Sequence, residues 1–220
     1  MTTILFGSIV RNGRNYLDRY FEQINSLRSD YDVKIAITEG DSTDDSYERI
    51  SQLSQHYNIP TQLYKFNHAG NLYGSVNVPE RWKNIARTWN YMLDRISLNY
   101  DYFCYMEADL IWNKQTIDQL IEGMQYFDAI APMSMLGNIF YDTWGHRSNG
   151  HNFSNSYPYH PDFEKYPKYM PLTSAGSCIM MHSKVAKVCR LSEVDAMIGH
   201  DIIKNHYTFM LDKSAFVYHP

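Results

Sequence analysis

The chain predicts an α/β fold: a single doubly wound, mostly parallel sheet with helices on both faces. Two observations carry this. Short apolar runs alternate with segments whose apolar residues recur at helical spacing, βαβαβαβ over the first half, and right-handed crossovers between such strands produce a parallel sheet. The length, 220 residues, suits one large domain with a substantial buried core. Ile4 to Val10 reads as the first strand, and Tyr16 to Leu27, apolar at Leu17, Tyr20, Phe21, Ile24 and Leu27, as the first helix. Val33 to Thr38 is the second strand, and a turn of Gly, Asp, Ser and Thr leads into a helix from Ser46 to Tyr57. Thr61 to Phe66 is the third strand. After a loop containing Gly70, Gly74 and Pro79, a helix runs from Arg81 to Leu98, and an apolar and aromatic strand begins at Tyr102. Thr116 to Tyr126 is a short helix, Ala129 to Met133 and Ser177 to Met181 are further strands, and Lys184 to Arg190 is a helix.

Gly137 to Pro171 interrupts this order. The segment is rich in Asn, His, Tyr and Pro and has little periodicity; loops of this length in compact domains are functional lids or disordered, and a lid is expected here. The 19 tyrosines of the chain include several between Tyr141 and Tyr169, which predicts a surface for flat or polyhydroxylated partners. A net charge of −4 provides no global attraction to a phosphate backbone, so nucleic-acid binding would need a local basic patch, for which Arg147, Lys165 and Lys168 are the candidates. No apolar run approaches the ~20 residues that span a bilayer, and no basic region precedes the first strand, so a soluble cytoplasmic protein is expected. Cys104, Cys178 and Cys189 show no paired spacing and are expected as reduced, buried thiols.

The run Tyr102 to Met106 ends on Glu107 and Asp109. In an open α/β sheet the ligand crevice lies beyond the carboxyl ends of the strands. Two carboxylates emerging there suit Mg2+ or Mn2+ carrying a diphosphate, while the plainer alternative is that they end a strand before a helix that starts near Asn113. Glu39 and Asp41 stand at the end of the second strand, ahead of any capping position, as acceptors for ribose hydroxyls or a base N–H. Arg81 and Arg87 lie on the first turns of a helix, where cations oppose the macrodipole and a nearby diphosphate would relieve the conflict.

Together, Glu39-Gly40-Asp41-Ser42-Thr43-Asp44, Ala86-Arg87-Thr88-Trp89-Asn90-Tyr91-Met92-Leu93 and Glu107-Ala108-Asp109 resemble, in order and spacing, the GT-A glycosyltransferases. The look is that of the Anp1-type mannosyltransferases and, more distantly, of the family 2 enzymes. The resemblance implies a metal-dependent transfer of sugar from a UDP- or GDP-linked donor to a hydroxyl acceptor, a glycan or a modified base in phage DNA, in a bacterium or a phage-infected cell. It implies a nucleotide-sugar half at residues 1–112, where Arg11, Glu39, Asp41, Arg81, Arg87 and Glu107 bind the donor, and an acceptor half at 113–220. The family's acidic motif reads Asp-X-Asp; here Glu107 replaces the first Asp, on a longer arm. The resemblance further implies a metal held by Glu107, Asp109 and His219, and an acceptor-facing Asp201, for which helix capping is the competing role. Ser174-Ala175-Gly176-Ser177 either lets backbone approach a ligand or only turns the chain. A sugar-1-phosphate nucleotidyltransferase is a second reading, less close because the first loop, Ile9 to Asn15, lacks that family's glycine-rich signature. A non-catalytic carbohydrate-binding relative is the third.

Overall fold

A computed structural model describes residues 1–73 and 78–220; Gly74, expected in the loop before the third helix, lies outside them. The elements in chain order are β1 (Thr3–Val10), α1 (Arg14–Asn25), β2 (Asp32–Glu39), α2 (Ser46–Tyr57), β3 (Thr61–Lys65), α3 (Pro79–Leu93), β4 (Tyr102–Met106), α4 (Lys114–Gly123) and β5 (Ala129–Leu136). They continue with β6 (Ile139–Phe140), β7 (Arg147–Ser148), β8 (His151–Asn152), β9 (Tyr169–Pro171), β10 (Cys178–His182), α5 (Ser183–Val188), α6 (Gly199–Lys204) and β11 (Phe209–Tyr218). Among the described residues the main sheet has nine strands in the order β3-β2-β1-β4-β10-β5-β11-β9, with β6 paired to β5.

The half from β3 to β4 is parallel throughout. Beyond β4 the sheet is mixed, because β10 returns from the long excursion and inserts antiparallel between β4 and β5. Strand side chains alternate between two cores. Ile4 and Phe6 of β1, with Cys104 and Met106 of β4, pack under α1, α2 and α4; Leu5, Phe103 and Tyr105 pack on the other face with Ala86, Trp89 and Met92 of α3. Helices therefore cover both faces, as the alternation predicts.

α3 ends at Leu93, short of the expected Leu98: the N–H groups of Arg95 and Ile96 both turn back to the Met92 carbonyl, and Ile96 and Leu98 reach the core from a loop. α4 begins at Lys114 because Asn113 caps it, its side chain accepting the Thr116 N–H at 3.1 Å. Residues 137–171 are pinned by buried Phe140, Phe153, Phe163 and Met170. The three cysteines are free and buried. No helix among the described residues is long and apolar enough to cross a membrane.

Candidate active site

β4 stops at Met106 and delivers Glu107-Ala108-Asp109 to the carboxyl edge of the sheet. The Glu107 N–H donates to Ser177 O at 3.1 Å, and the Asp109 carbonyl accepts from Arg19 of α1 at 2.5 Å, so the acidic stretch is held from both sides. The chain end is brought alongside by a short bridge: Ile111 N–H to Tyr218 O at 2.8 Å and Tyr218 N–H to Ile111 O at 2.9 Å. His219 follows directly, with its N–H donating to Met135 O at 2.8 Å. Ligand atoms of Glu107, Asp109 and His219 consequently all lie within 4.8 Å of one another. The imidazole stacks on Tyr141 with centroids 3.7 Å apart, and its Nε2 is 3.3 Å from Ser177 Oγ.

The electrostatics are those of crowded negative charge. Desolvation, then the charges of Asp109 and Asp142, push the Glu107 carboxyl up to about 8, against the opposing Arg81 guanidinium and a Ser177 hydrogen bond. Burial lowers the His219 imidazole despite the nearby carboxylates, which favours its neutral, ligating form. Two carboxylate oxygens and a neutral imidazole, mutually repelling where they are acidic, fit a divalent cation of the Mn2+ or Mg2+ kind.

These groups form one wall of a cleft of about 900 Å³ that runs along the ends of β4, β1, β2 and β3. Arg81, whose guanidinium acts on Glu107, also lines it, and Trp82 of α3 stacks on Trp144 with centroids 5.4 Å apart and planes 14° apart. The Arg147 guanidinium covers Trp144 at 5.2 Å and reaches Asp195 Oδ2 at 3.4 Å.

Of the residues singled out from sequence, Arg11, Asp41, Arg81, Glu107, Asp109 and His219 line this cleft. Asp41 does so with both carboxylate oxygens engaged, and Arg11 with both terminal nitrogens engaged and Nε buried without a partner. Arg11 donates to the carbonyls of Gly70 and Asn71 at 3.0 and 2.9 Å, and Asp41, held at φ 55°, accepts the N–H groups of His68 and Ala69 at 2.8 and 3.2 Å. Both therefore shape the 67–71 loop.

Three other residues singled out from sequence lie outside the cleft lining. Glu39 is buried and outside the cleft lining; its Oε1 accepts the Ser42 N–H at 3.0 Å, tightening the turn after β2. Arg87 is exposed and outside the cleft lining, pairing with Glu193 at 3.0 Å; six residues after Arg81, it stands about 1.7 turns further along α3 and about 120° away around the helix. Asp201 is also outside the lining: its Oδ2 accepts the Arg190 N–H at 2.9 Å, joining α6 to the end of α5. The acid that this region does present to the cleft is Asp195.

Other cleft residues stood out in the sequence only as parts of longer stretches. Asp142 accepts from Gly145 N at 2.9 Å, His146 Nδ1 at 3.0 Å and Ser177 N at 3.2 Å, clamping the long excursion to the start of β10. Burial opposes its ionisation, but the His146 hydrogen bond and charge, with the two backbone N–H groups, hold the carboxyl below the usual carboxylate range. Gly176 serves this clamp: a Cβ there would come 2.5 Å from Asp142 Oδ2, so the close backbone approach it permits is to a carboxylate of the chain itself. Of the aromatic stretch, Tyr141 and Trp144 face the cleft, whereas Tyr159 packs on Phe163 and Tyr169 on Phe127, with centroids 5.4 and 5.0 Å apart.

A doubly wound sheet with an acidic pair beyond β4 is the architecture of GT-A glycosyltransferases, and that is the fold of this chain. It is similar to the mannosyltransferase PcManGT from Pyrobaculum calidifontis, solved in complex with GDP-Man and Mn2+, with a TM-score of 0.64 and 10% identity over 98% of this chain and 56% of that one. It is also similar to S. aureus TarS 1-349 in complex with UDP-GlcNAc, with a TM-score of 0.60 and 11% identity over 99% of this chain and 58% of that one. The chain thus spans little more than half the length of either. No family model and no curated protein sequence matches it.

Proposed function

We propose that this chain is the catalytic domain of a metal-assisted glycosyltransferase that moves a sugar from a UDP- or GDP-linked donor to a hydroxyl acceptor. The observation that carries the reading is the convergence of Glu107, Asp109 and His219 at the strand ends, with the Arg81 charge reaching Glu107 in the same cleft. Similar folds solved with GDP-Man and Mn2+, or with UDP-GlcNAc, support it.

A cation bound by Glu107, Asp109 and His219 would offset the charge that grows on the departing diphosphate. The chain's own groups do the rest. Arg81 supplies a second, permanent positive charge toward the same oxygens. Contact of His219 Nε2 with Ser177 Oγ at 3.3 Å fixes the ring, and in the Nε2–H tautomer it would leave the Nδ1 lone pair on the side of Asp109, free to ligate. On the acceptor side Asp195 is the assigned carboxylate. Its Oδ2 is held by His200 at 2.8 Å and by Arg147, and despite desolvation the His200 bond and charge keep it below the usual carboxylate range. A carboxylate stabilised in this way orients an acceptor hydroxyl by accepting its hydrogen bond, and is too weak a base to store the proton.

A glycan hydroxyl is favoured over DNA as acceptor. The basic patch that DNA would require is internally paired: Lys165 with Asp162 at 2.5 Å, Lys168 with Glu122 at 3.0 Å and Arg147 with Asp195 at 3.4 Å. Calorimetric titration of UDP- and GDP-sugars with Mn2+ and after EDTA treatment tests the whole reading. Binding that survives metal removal undiminished, or no binding in either condition, overturns it.

A further inference from the structure

The end of the cleft furthest from the acidic cluster contains a histidine whose protonation pattern is determined by its neighbours. His68 follows β3 and lines the cleft. Its Nε2 is 2.7 Å from Thr88 Oγ1, and that hydroxyl donates its only proton to Asn84 O, also at 2.7 Å. A hydroxyl with its proton committed can only accept. Nε2 must therefore carry the hydrogen of this contact, and in the neutral ring Nδ1 is a bare acceptor. Among the described residues the assigned ring contact is the one through Nε2 to Thr88, and the Asn84 carbonyl beside it also draws on the ring N–H.

The ring is also fixed in place. Its own N–H donates to Asp41 Oδ2, and its face meets the edge of Phe66 with centroids 4.7 Å apart, while Phe66 stacks on Tyr91 at 4.3 Å. Burial, with the guanidiniums of Arg87 and Arg11, outweighs the attraction of Asp41 and holds the imidazole below its usual range, so the neutral form prevails. Of the other acceptors at this end, Asp41 receives His68 and Ala69, Asn12 Oδ1 receives Thr43, and Glu39 receives Ser42 on Oε1 while its Oε2, buried and outside the cleft lining, has no partner.

Position completes the argument. Three inter-strand steps separate β4 from β3 in the sheet order, roughly 14 Å at the usual strand spacing. That matches the reach of an extended nucleoside from a diphosphate lying beside Glu107 and Asp109 to its base.

We propose that His68 reads the nucleobase, its Nδ1 accepting from a ring N–H of the kind found at N3 of uracil and N1 of guanine, with Thr88 as the positioning residue that sets the tautomer. Cytosine and adenine present a ring lone pair at the equivalent atom, which opposes the Nδ1 lone pair. The inference rests on the donor-site reading above and deepens it.

The test is calorimetric titration of UDP, GDP, CDP, ADP and inorganic pyrophosphate, each with Mn2+, into the unaltered protein, His68→Leu and Thr88→Val, with circular dichroism as a check on folding. A long-range 1H–15N spectrum of the histidines reads the tautomer directly. The unaltered protein is expected to bind UDP or GDP roughly three- to tenfold more tightly than CDP and ADP, the scale of one hydrogen bond, and to show His68 as the Nε2–H tautomer. The UDP and GDP arms tell which of the two bases the cleft takes. Both variants are expected to lose the preference while keeping their affinity for pyrophosphate; Thr88→Val, close to isosteric, keeps the test available should His68→Leu misfold. Equal affinities for all four nucleotides, an unchanged preference in folded Thr88→Val, or an Nδ1–H tautomer overturns the assignment of His68 while leaving the donor site standing. Nucleotides that bind no better than pyrophosphate overturn the donor-site reading itself, and this inference with it.

Discussion

His219 Nδ1 lies 3.9 Å from Asp109 Oδ2, although the two residues belong to opposite ends of the sheet path through β4, β10, β5 and β11. The approach is made by the Ile111–Tyr218 bridge, which folds the segment after β4 across to the end of β11. His219 is thereby tied to backbone on one side and to Ser177 and Tyr141 on the other.

This cluster is expected to bind Mn2+ with its three side chains acting together. Asp109→Ala and His219→Ala should each weaken Mn2+ binding by more than the roughly 10- to 100-fold typical of losing a partner that merely orients a ligand, and nucleoside diphosphate affinity should fall in parallel. Electron paramagnetic resonance of free Mn2+ measures the first and calorimetry the second. Mn2+ affinity unchanged in either variant removes that residue from the ligand set.

Asp142 should make a pH-dependent contribution to stability. Its folded carboxyl titrates below the reference value of 3.8, so its stabilisation is complete above the unfolded pKa and is lost as pH falls through the lower, folded one. Asp142→Asn is expected to cost about 1.5–3 kcal/mol at neutral pH, the worth of hydrogen bonds to a charged group, with the gap to the unaltered protein closing in acid. Urea denaturation between neutral and acidic pH measures this; a gap that stays constant would mean that the charge of Asp142 is irrelevant.

Asp195 and Asp201 should behave oppositely. Asp195→Asn is expected to slow sugar transfer by about 10- to 100-fold through loss of acceptor orientation, with donor and Mn2+ binding intact. Asp201→Asn should retain transfer, because it touches only the Arg190 N–H and not the cleft. The reverse pattern, measured by transfer rates on folded proteins, would return the acceptor role to Asp201.

Residues 137–171 remain proposed as a lid, in a restricted form. Phe140 and Phe153 hold the base of the segment in the core, while Gly150 and His151 are exposed at a tight turn and Trp144 meets α3 through Trp82. Limited proteolysis should cut first near Gly150, and donor with Mn2+ should slow that cut. Equal cleavage rates with and without donor and Mn2+ would leave the segment a fixed wall.

The local half of this fold was legible because periodicity is a local property. β1 to β4 and their helices were readable from apolar spacing, and α2 begins and ends at Ser46 and Tyr57 as expected. Glu107 and Asp109 were recognisable because a hydrophobic run ending on two carboxylates has few explanations, and His219 because the resemblance placed a histidine there. Arg87 and Asp201 lie outside the cleft lining for one reason: each has a suitable residue type at a suitable position along the chain, but the direction of its side chain depends on helix rotation and on the neighbour that captures it, Glu193 for one and the Arg190 N–H for the other.

By itself the sequence determined the alternation of strands and helices, the apolar stripes that assign each helix to a face of the sheet, and the acid-bearing end of β4, all consequences of burial acting over a few residues. Tertiary structure alone decided that β10 inserts antiparallel beside β4, that Asp142 clamps Ser177, that Trp144 lies on Trp82, and that Asp195 faces the cleft in place of Asp201. These contacts join segments far apart in the chain, and a hydrogen bond or a stacked ring across such a distance leaves no periodic trace in either partner.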